Sequence, residues 1–147
     1  MAIFDRGLAE ADFCLVSGTA VMFLPEARYG MFPSGGMSIL LGERCGAARA
    51  AELMWLGEHV DAKALVSLGI ATNIFPTWQL EEQALVLAQR LANLPAESRS
   101  RYKLARSRDI ADRLERALQF EARCCVQAGM NADTRLRMAA SSVFAKA

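Results

Sequence analysis

The chain has 147 residues, a length that fits one ordinary domain with a sizeable hydrophobic core. Its 17 basic and 16 acidic residues leave a formal net charge of +1, which excludes a nucleic-acid or anionic-membrane surface that depends on overall charge. Hydrophobic residues make up 53% of the chain, a high share for a free monomer, and this composition predicts a protein partner.

Neither the N-terminal residues nor the cysteines indicate export or a metal site. Residues 1–12 contain no run of basic residues, and the uncharged segment at residues 13–24 is too short to span a bilayer. His59 is the one histidine and no Cys-x-x-Cys spacing occurs, so we expect neither zinc nor haem. The four cysteines are interpreted as buried thiols in a reducing setting, and the expected location is the cytoplasm.

The first half of the chain predicts strands followed by short helices. Residues 13–17 and 21–24 are β-prone and are separated by turn residues. Three helices are then predicted, because glycine tolerates the left-handed backbone at a helix C-terminus and aspartate accepts free amide protons at an N-terminus. The predicted ends are Gly46, Gly57 and Gly69, with a start at Asp61.

The second half is predicted to be mostly helical after one more strand at residues 70–76. Thr77 is expected to cap a helix in which leucines and alanines recur every three or four residues. A long helix is expected from Pro95 to Gly129, followed by a final helix. Because two or three strands seldom make a stable sheet alone, this pattern is typical of the end of a larger fold.

Several short motifs occur in order between residues 12 and 76. They are an aspartate before a strand, a Pro-Glu pair, a glycine, a proline with nearby glycines, a Gly-x-x-x-Ala helix and a glycine turn into a strand that ends in proline. The residues are Asp12, Pro25-Glu26, Gly30, Pro33 with Gly35 and Gly36, Gly46 with Ala50 and Leu53, Gly57, Ala62, Ala64, and Gly69 to Pro76. Together they resemble the second half of the crotonase superfamily, the family of enoyl-CoA hydratases and isomerases.

The resemblance implies an α/β fold, a partial crotonase-like spiral of ββα turns followed by C-terminal helices. Residues 1–76 are expected to form the partial spiral core, and residues 77–147 the C-terminal helical region. Full members also have an N-terminal half that supplies most of the strands, so the chain is expected to be about half of such a protein. The C-terminal helices of the family build a trimer, which implies a homo-oligomer, a trimer or a multiple of trimers.

In the family the glutamate of the Pro-Glu pair moves protons on an acyl-CoA thioester, which implies that role for Glu26. This chemistry needs a carboxylate whose pKa is raised by an apolar pocket, and Phe23, Leu24 and Ala27 supply apolar neighbours. The alternative interpretation is a surface glutamate at a strand end. If Glu26 has the family role, acyl-CoA is the substrate, and no cofactor is expected. The nearby substrate-binding candidates are Pro25, Gly30, Pro33 and Gly35.

The N-terminal residues depart from the family pattern in two ways. The place of the second glutamate of hydratases is occupied by Arg6, which cannot act as a general base, and this favours an isomerase with one carboxylate. One oxyanion-hole amide belongs to a Gly-Gly-Gly stretch whose place falls at residues 2–4, where no glycine occurs. The isolated chain is therefore expected to be weak or inactive as an enzyme.

Other candidate residues have an ordinary alternative. Phe144 and Lys146 resemble the phenylalanine and lysine with which family members contact coenzyme A, and a frayed terminus is the alternative. Gly35 and Gly36 precede a helix, where an anion-binding nest or a simple turn would fit. His59 is expected to be a solvated loop residue.

Two hypotheses of function remain open at this point. The first is an enoyl-CoA hydratase/isomerase-type enzyme with Glu26 as the proton-transfer residue. The second is a non-catalytic crotonase-like protein that serves assembly or partner binding. Under either hypothesis, Trp55 and Trp78 are expected to be core or interface residues. A third explanation is that the sequence is a fragment of a longer reading frame.

Overall fold

The computed structural model describes residues 11–141, and its strands form two short pairs. β1 (Leu15–Ser17) runs parallel to β4 (Asn73–Phe75), and β2 (Val21–Met22) runs antiparallel to β3 (Val60–Asp61). In the registers, Leu15 lies opposite Asn73 and Val21 lies opposite Asp61. β1, β2 and β4 lie within predicted strand segments, whereas β3 was not predicted. The pairing brings the two N-terminal strands against segments further along the chain.

Helices make up most of the described chain. Between residues 11 and 141 they are α1 (Met37–Cys45), α2 (Ala47–Leu56), α3 (Ala62–Ser67), α4 (Leu80–Ala92), α5 (Ala96–Met130) and α6 (Ala132–Ala139), with 3-10 helices at Glu26–Tyr29 and Thr77–Gln79. The longest, α5, has 35 residues and is about 52 Å long. In the range that the structure covers, no helix combines the length and the hydropathy that crossing a bilayer requires.

The predicted stop and start residues of the short helices are confirmed. Gly46 and Gly57 directly follow α1 and α2, and both have a positive φ. Asp61 lies at the N-cap of α3, where its Oδ1 accepts a hydrogen bond from the Ala64 amide at 2.8 Å. These local signals fix the short helices because each one satisfies or terminates the backbone hydrogen bonds at a helix end.

Two predicted helix boundaries are wrong in detail. The Thr77 side chain does not cap the helix that follows; its Oγ1 lies 2.6 Å from Ser17 Oγ, so the hydroxyl joins the end of β1 to the segment after β4. The long helix runs through Gly129 to Met130. It ends there because Asn131 turns the chain and accepts hydrogen bonds from the first amides of α6.

The hydrophobic core is built from residues 14–71. Met22, Leu41, Leu65 and Ile70 are the largest apolar side chains that are almost completely buried in it. Two partly buried residues of α5, Ile110 and Leu114, pack against this core from outside. The C-terminal helices therefore add to a core that the first half forms, and the boundary at residue 76 stays a prediction.

The two tryptophans are not core residues. Trp55 at the end of α2 is 76% exposed, and Trp78 before α4 is 78% exposed. Several apolar side chains of the C-terminal helices are also exposed, including Val126, Met130 and Leu136. Of the two roles predicted for the tryptophans, the core role is wrong for both, and an interface role stays a prediction.

Replacement of Gly57 by alanine is expected to destabilise the fold. Its φ is +57°, and an added Cβ would lie 2.7 Å from the Leu24 carbonyl oxygen, which is backbone and cannot move aside. We expect Gly57→Ala to lower the free energy of unfolding by about 1–2 kcal/mol or more, measured by urea denaturation. Gly42→Ala is the matched control, because no atom lies within 4 Å of a Cβ added there, inside α1. That variant is expected to gain up to about 1 kcal/mol; equal losses in both would contradict the account.

Candidate functional site

Glu26 lies at the point where the core strand segment turns into the first 3-10 helix. Phe23 and Leu24 before it are buried, and Pro25 with φ of −80° sets the backbone for the turn. The Glu26 carbonyl accepts a hydrogen bond from the Met31 amide at 2.9 Å, which closes the turn. The backbone around Glu26 is thus fixed on both sides by the core and by its own hydrogen bonds.

The carboxyl group of Glu26 is partly removed from water. The residue is half-buried, and its Oε2 is a buried side-chain atom without a hydrogen-bond partner anywhere in residues 11–141. Burial raises the pKa of Glu26, and its own backbone amide opposes this only in part. A carboxyl group with a raised pKa both accepts and returns protons near neutral pH more readily than an ordinary glutamate.

The other substrate-binding candidates follow Glu26 along one loop. Gly30 and Gly35 have φ of 72° and 76°, which favour glycine, and Pro33 is buried. A Cβ at Gly30 would lie 2.8 Å from Thr134 Oγ1, so this position has no space for a side chain. Pro25, Gly30, Pro33 and Gly35 therefore share one short segment with Glu26, and their role in substrate binding stays a prediction.

The C-terminal helices hold this loop from the other side. Thr134 Oγ1 on α6 donates to the Gly30 carbonyl at 3.4 Å. The aromatic rings of Phe32 and Phe120 meet edge to face, with centroids 5.7 Å apart. Beyond α6, Ser141 donates to the hydroxyl of Tyr29 at 2.7 Å. The loop next to Glu26 is therefore shaped by side chains from the C-terminal region as well as by its own glycines.

A residue that the sequence analysis missed completes these contacts. Glu121 on α5 is 1% exposed, and its carboxylate accepts hydrogen bonds from the Gly36 amide at 2.7 Å and from the Ser38 amide at 3.0 Å. These amides open α1, so an acidic side chain of the chain itself occupies the position that an external anion would take. The interpretation of Gly35 and Gly36 as a free anion-binding nest is therefore wrong.

The sequence contains a signal that could have identified Glu121. Apolar residues on one face of α5 recur at Ile110, Leu114 and Leu118, and Cys125 continues this face. Glu121 stands where the next apolar residue would be expected. An acid inside an apolar stripe predicts either a buried charge with dedicated partners or a break in the buried face.

The cysteines of the described region are free thiols. Burial is the main cause that raises the pKa of Cys14, Cys45 and Cys125. Their thiols are therefore held in the protonated form, which is a poor nucleophile and a poor metal ligand. Across residues 11–141, no group of histidine, cysteine and acidic side chains could hold a metal ion. His59 is exposed and stacks on Phe23, with ring centroids 4.8 Å apart.

Large open grooves lie away from Glu26. One of about 590 Å³ is lined by Phe13, Leu15 and the apolar face of α4, and another of about 710 Å³ lies where α4 meets α5. Glu26 is not among the residues that line these two grooves. The described residues thus supply a partly buried carboxyl group and a shaped loop. Neither groove encloses Glu26 as an acyl pocket would.

Four predicted features lie outside the described residues. They are Arg6 in the place of the second glutamate, residues 2–4 in the place of the glycine stretch, and the coenzyme A candidates Phe144 and Lys146. Their roles stay predictions.

Comparison with known proteins links this arrangement to one family. A family model described as enoyl-CoA hydratase/isomerase matches residues 8–144. A probable enoyl-CoA hydratase from Rhizobium meliloti (strain 1021) is 30% identical over 112 residues, which cover 76% of this chain and 44% of that protein. A carnitinyl-CoA dehydratase from Proteus mirabilis (strain HI4320) is 32% identical over 90 residues, or 61% of this chain and 34% of the dehydratase. The chain thus spans less than half the length of these curated relatives.

Solved structures share the fold. An enoyl-CoA hydratase/isomerase from Pseudoalteromonas atlantica T6c aligns with a TM-score of 0.87 at 24% identity, over 92% of this chain and 54% of that chain. An enoyl-CoA hydratase from Mycobacterium avium subsp. paratuberculosis K-10 aligns with a TM-score of 0.79 at 27% identity, over 87% and 53% of the two chains. These alignments confirm the predicted α/β crotonase-like fold.

The raised pKa of Glu26 predicts how stability depends on pH. A folded-state pKa above the unfolded value of about 4.5 means that the protonated carboxyl favours folding below that pH, and that this contribution is lost as the pH rises through the folded-state pKa. Glu26→Gln removes the ionisation, so we expect this variant to unfold at higher urea concentration than the wild type at pH 7.5 and at a similar concentration at pH 4. Glu115→Gln on the exposed side of α5 is the control. A difference between Glu26→Gln and wild type that does not change with pH would contradict the buried carboxyl.

Proposed function

Because this chain belongs to the enoyl-CoA hydratase/isomerase family, we propose that Glu26 transfers protons on the acyl group of a coenzyme A thioester. The observation that supports this proposal is the Oε2 atom of Glu26, which is buried without a hydrogen-bond partner in residues 11–141. A buried acid left unpaired is costly to keep unless it serves a function. The acidic hydrogen of a reacting carbon next to that oxygen would supply the partner that Oε2 lacks.

The proposed reaction moves one proton between two carbons. The ionised Glu26 removes a proton from the α-carbon of a 3-enoyl thioester, and the electron pair moves onto the thioester carbonyl to give an enolate. The protonated carboxyl then returns the proton to the γ-carbon, and the double bond moves from C3–C4 to C2–C3. The raised pKa of Glu26 serves both half-reactions, because the same group must take up a proton and release it. The carboxyl group needs no cofactor for this step.

We favour isomerisation over hydration because one carboxylate is sufficient for it. A hydratase of this family uses a second glutamate to activate water, and the corresponding place holds Arg6. In this proposal Pro25, Gly30, Pro33 and Gly35 shape the acyl site, and Phe144 with Lys146 contacts coenzyme A. Stabilisation of the enolate requires backbone donors, each worth about 3–4 kcal/mol, which we assign to parts of the protein outside the described residues.

A second candidate function is assembly without catalysis. It is favoured by the exposed apolar side chains of the C-terminal helices, of which Met130 is 75% and Leu136 is 70% exposed. Large apolar side chains that share one region of a surface are typical of protein interfaces. Assembly by itself is also compatible with the first candidate, since a homo-oligomer of this chain could carry the acyl-CoA site.

Replacement of Glu26 by glutamine tests the proposed chemistry. We expect Glu26→Gln to lower the rate of conversion of a 3-enoyl-CoA to a 2-enoyl-CoA by about 10²–10⁴-fold, because the amide cannot move protons. Exchange of the α-protons of butyryl-CoA in D₂O, followed by NMR, measures the first half-reaction separately. Glu115→Gln is expected to retain the wild-type rate. Unchanged rates in Glu26→Gln would contradict the role of Glu26, and turnover by the wild-type chain would exclude the second candidate.

The exposed apolar surface predicts self-association. We expect light scattering of the purified chain to give a mass three times that of the 16.0 kDa chain, or a multiple of that value. Met130→Glu and Leu136→Glu place charges on this surface and are expected to lower the mass. Glu97→Lys on the exposed start of α5 is the control. A monomer at micromolar concentration would contradict the predicted oligomer.

A further inference from the structure

Glu121 is the most deeply buried charged side chain in residues 11–141. Removing a carboxylate from water costs several kcal/mol unless other groups replace its hydration. Here Oε2 accepts from the Gly36 amide at 2.7 Å, while Oε1 accepts from the amide and hydroxyl of Ser38 at 3.0 and 2.6 Å. Both oxygens are bonded, and they lie at the N-terminus of α1, where the helix dipole favours negative charge.

The hydrogen bonds of Glu121 hold the end of the loop between Glu26 and α1 that is furthest from Glu26. Gly36 lies at the N-cap of α1 with φ of +83°, and a Cβ there would lie 2.5 Å from Leu114 Cδ1 on α5. α5 therefore touches the start of α1 by direct packing and by the carboxylate of Glu121. The loop between Glu26 and α1 cannot shift at this end without breaking the contact with α5.

The same face of α5 reaches the loop closer to Glu26. Cys125, one helical turn after Glu121, donates from its thiol to the Phe32 carbonyl at 3.7 Å. The pKa of Cys125 is raised by burial, by Cys124 and by the carboxylates of Glu121 and Glu26. Ionisation of this thiol is thus disfavoured by both carboxylates. α5 therefore contacts the loop at Phe32 as well as at its end.

We propose that Glu121 is a positioning residue, which fixes the loop between Glu26 and α1 so that the Glu26 carboxyl stays packed away from water. This role rests on the proposed function of Glu26 and extends it to the C-terminal helices. Glu121 does not touch the reacting atoms. It acts through the amides of Gly36 and Ser38, and the Cys125 thiol is a titratable group of α5 that contacts the same loop at Phe32.

Two variants distinguish the effect of the loop position on Glu26 from the effect of the Glu121 charge on Glu26. Glu121→Gln removes the charge and weakens the bonds to the amides. Ser38→Ala removes one of the three donors and leaves the carboxylate in place. Because both glutamates carry negative charge, Glu121→Gln alone would change the titration of Glu26 by simple electrostatics, whereas Ser38→Ala would change it only through the loop.

The measurement is NMR of the purified chain, with amide hydrogen exchange and with the titration of the ¹³C-labelled carboxyl of Glu26. In both variants we expect the amides of Gly36 and Ser38 to exchange about tenfold faster, the effect of losing roughly one hydrogen bond. We also expect the titration midpoint of Glu26 to fall towards that of an exposed glutamate. Glu115→Gln, on the exposed side of the same helix, is expected to change neither quantity.

The outcomes distinguish a positioning role from a purely structural one. Faster exchange throughout the protein with an unchanged Glu26 midpoint would show that Glu121 only stabilises the fold, and would overturn the proposal. If Glu121→Gln fails to fold, Ser38→Ala decides the result. These readouts do not require turnover, so they remain valid if Glu26 proves not to be catalytic. Where turnover is measurable, a lower kcat with little change in KM is expected for Ser38→Ala.

Discussion

The buried carboxylate of Glu121 at the start of α1 is the interaction on which the site depends. It joins Glu121 of α5 to the backbone amides of Ser38 and Gly36, which lie 83 and 85 positions earlier in the chain. The buried Glu121 carboxylate is stable because the groups of Gly36 and Ser38 that donate to it are held in place. The same hydrogen bonds hold those groups in place. The shape of the loop after Glu26 therefore belongs to the packed assembly of core and C-terminal helices.

The described molecule combines a compact apolar core with helices that are mostly exposed. The core is formed by residues 14–71, and α5 contributes to it through Ile110 and Leu114. Further along the same helix, aromatic and polar contacts are made to the loop of Glu26 and to the start of α1. α5 therefore first packs against the core and then borders the candidate site. This division explains why a helix of 35 residues has one fully buried side chain, and why that side chain is an acid.

Local signals in the sequence predicted the local structure well. Gly46, Gly57 and Asp61 set helix ends through backbone conformation and hydrogen bonding, and neither depends on distant residues. The sequence placed Glu26 after Pro25 near a strand end, and the 3-10 helix that begins at Glu26 was not predicted. The apolar face of α5 marks Glu121 as an exception, but its partners follow from the packing of α5 and not from its neighbours in sequence. Thr77 failed for the same reason, since its hydroxyl bonds to Ser17 across the strand pair instead of capping the next helix.

The separation between Glu121 and the amides it binds has a consequence for biosynthesis. A ribosome makes the segment around Glu26 before α5, so the nascent loop has no acid to hold it while the intervening helices are being translated. Contacts between residues far apart in sequence form late because the chain must first close a large loop. The local environment of Glu26 is therefore completed only after α5 has emerged, which couples the shape of this site to translation of the helix that holds it.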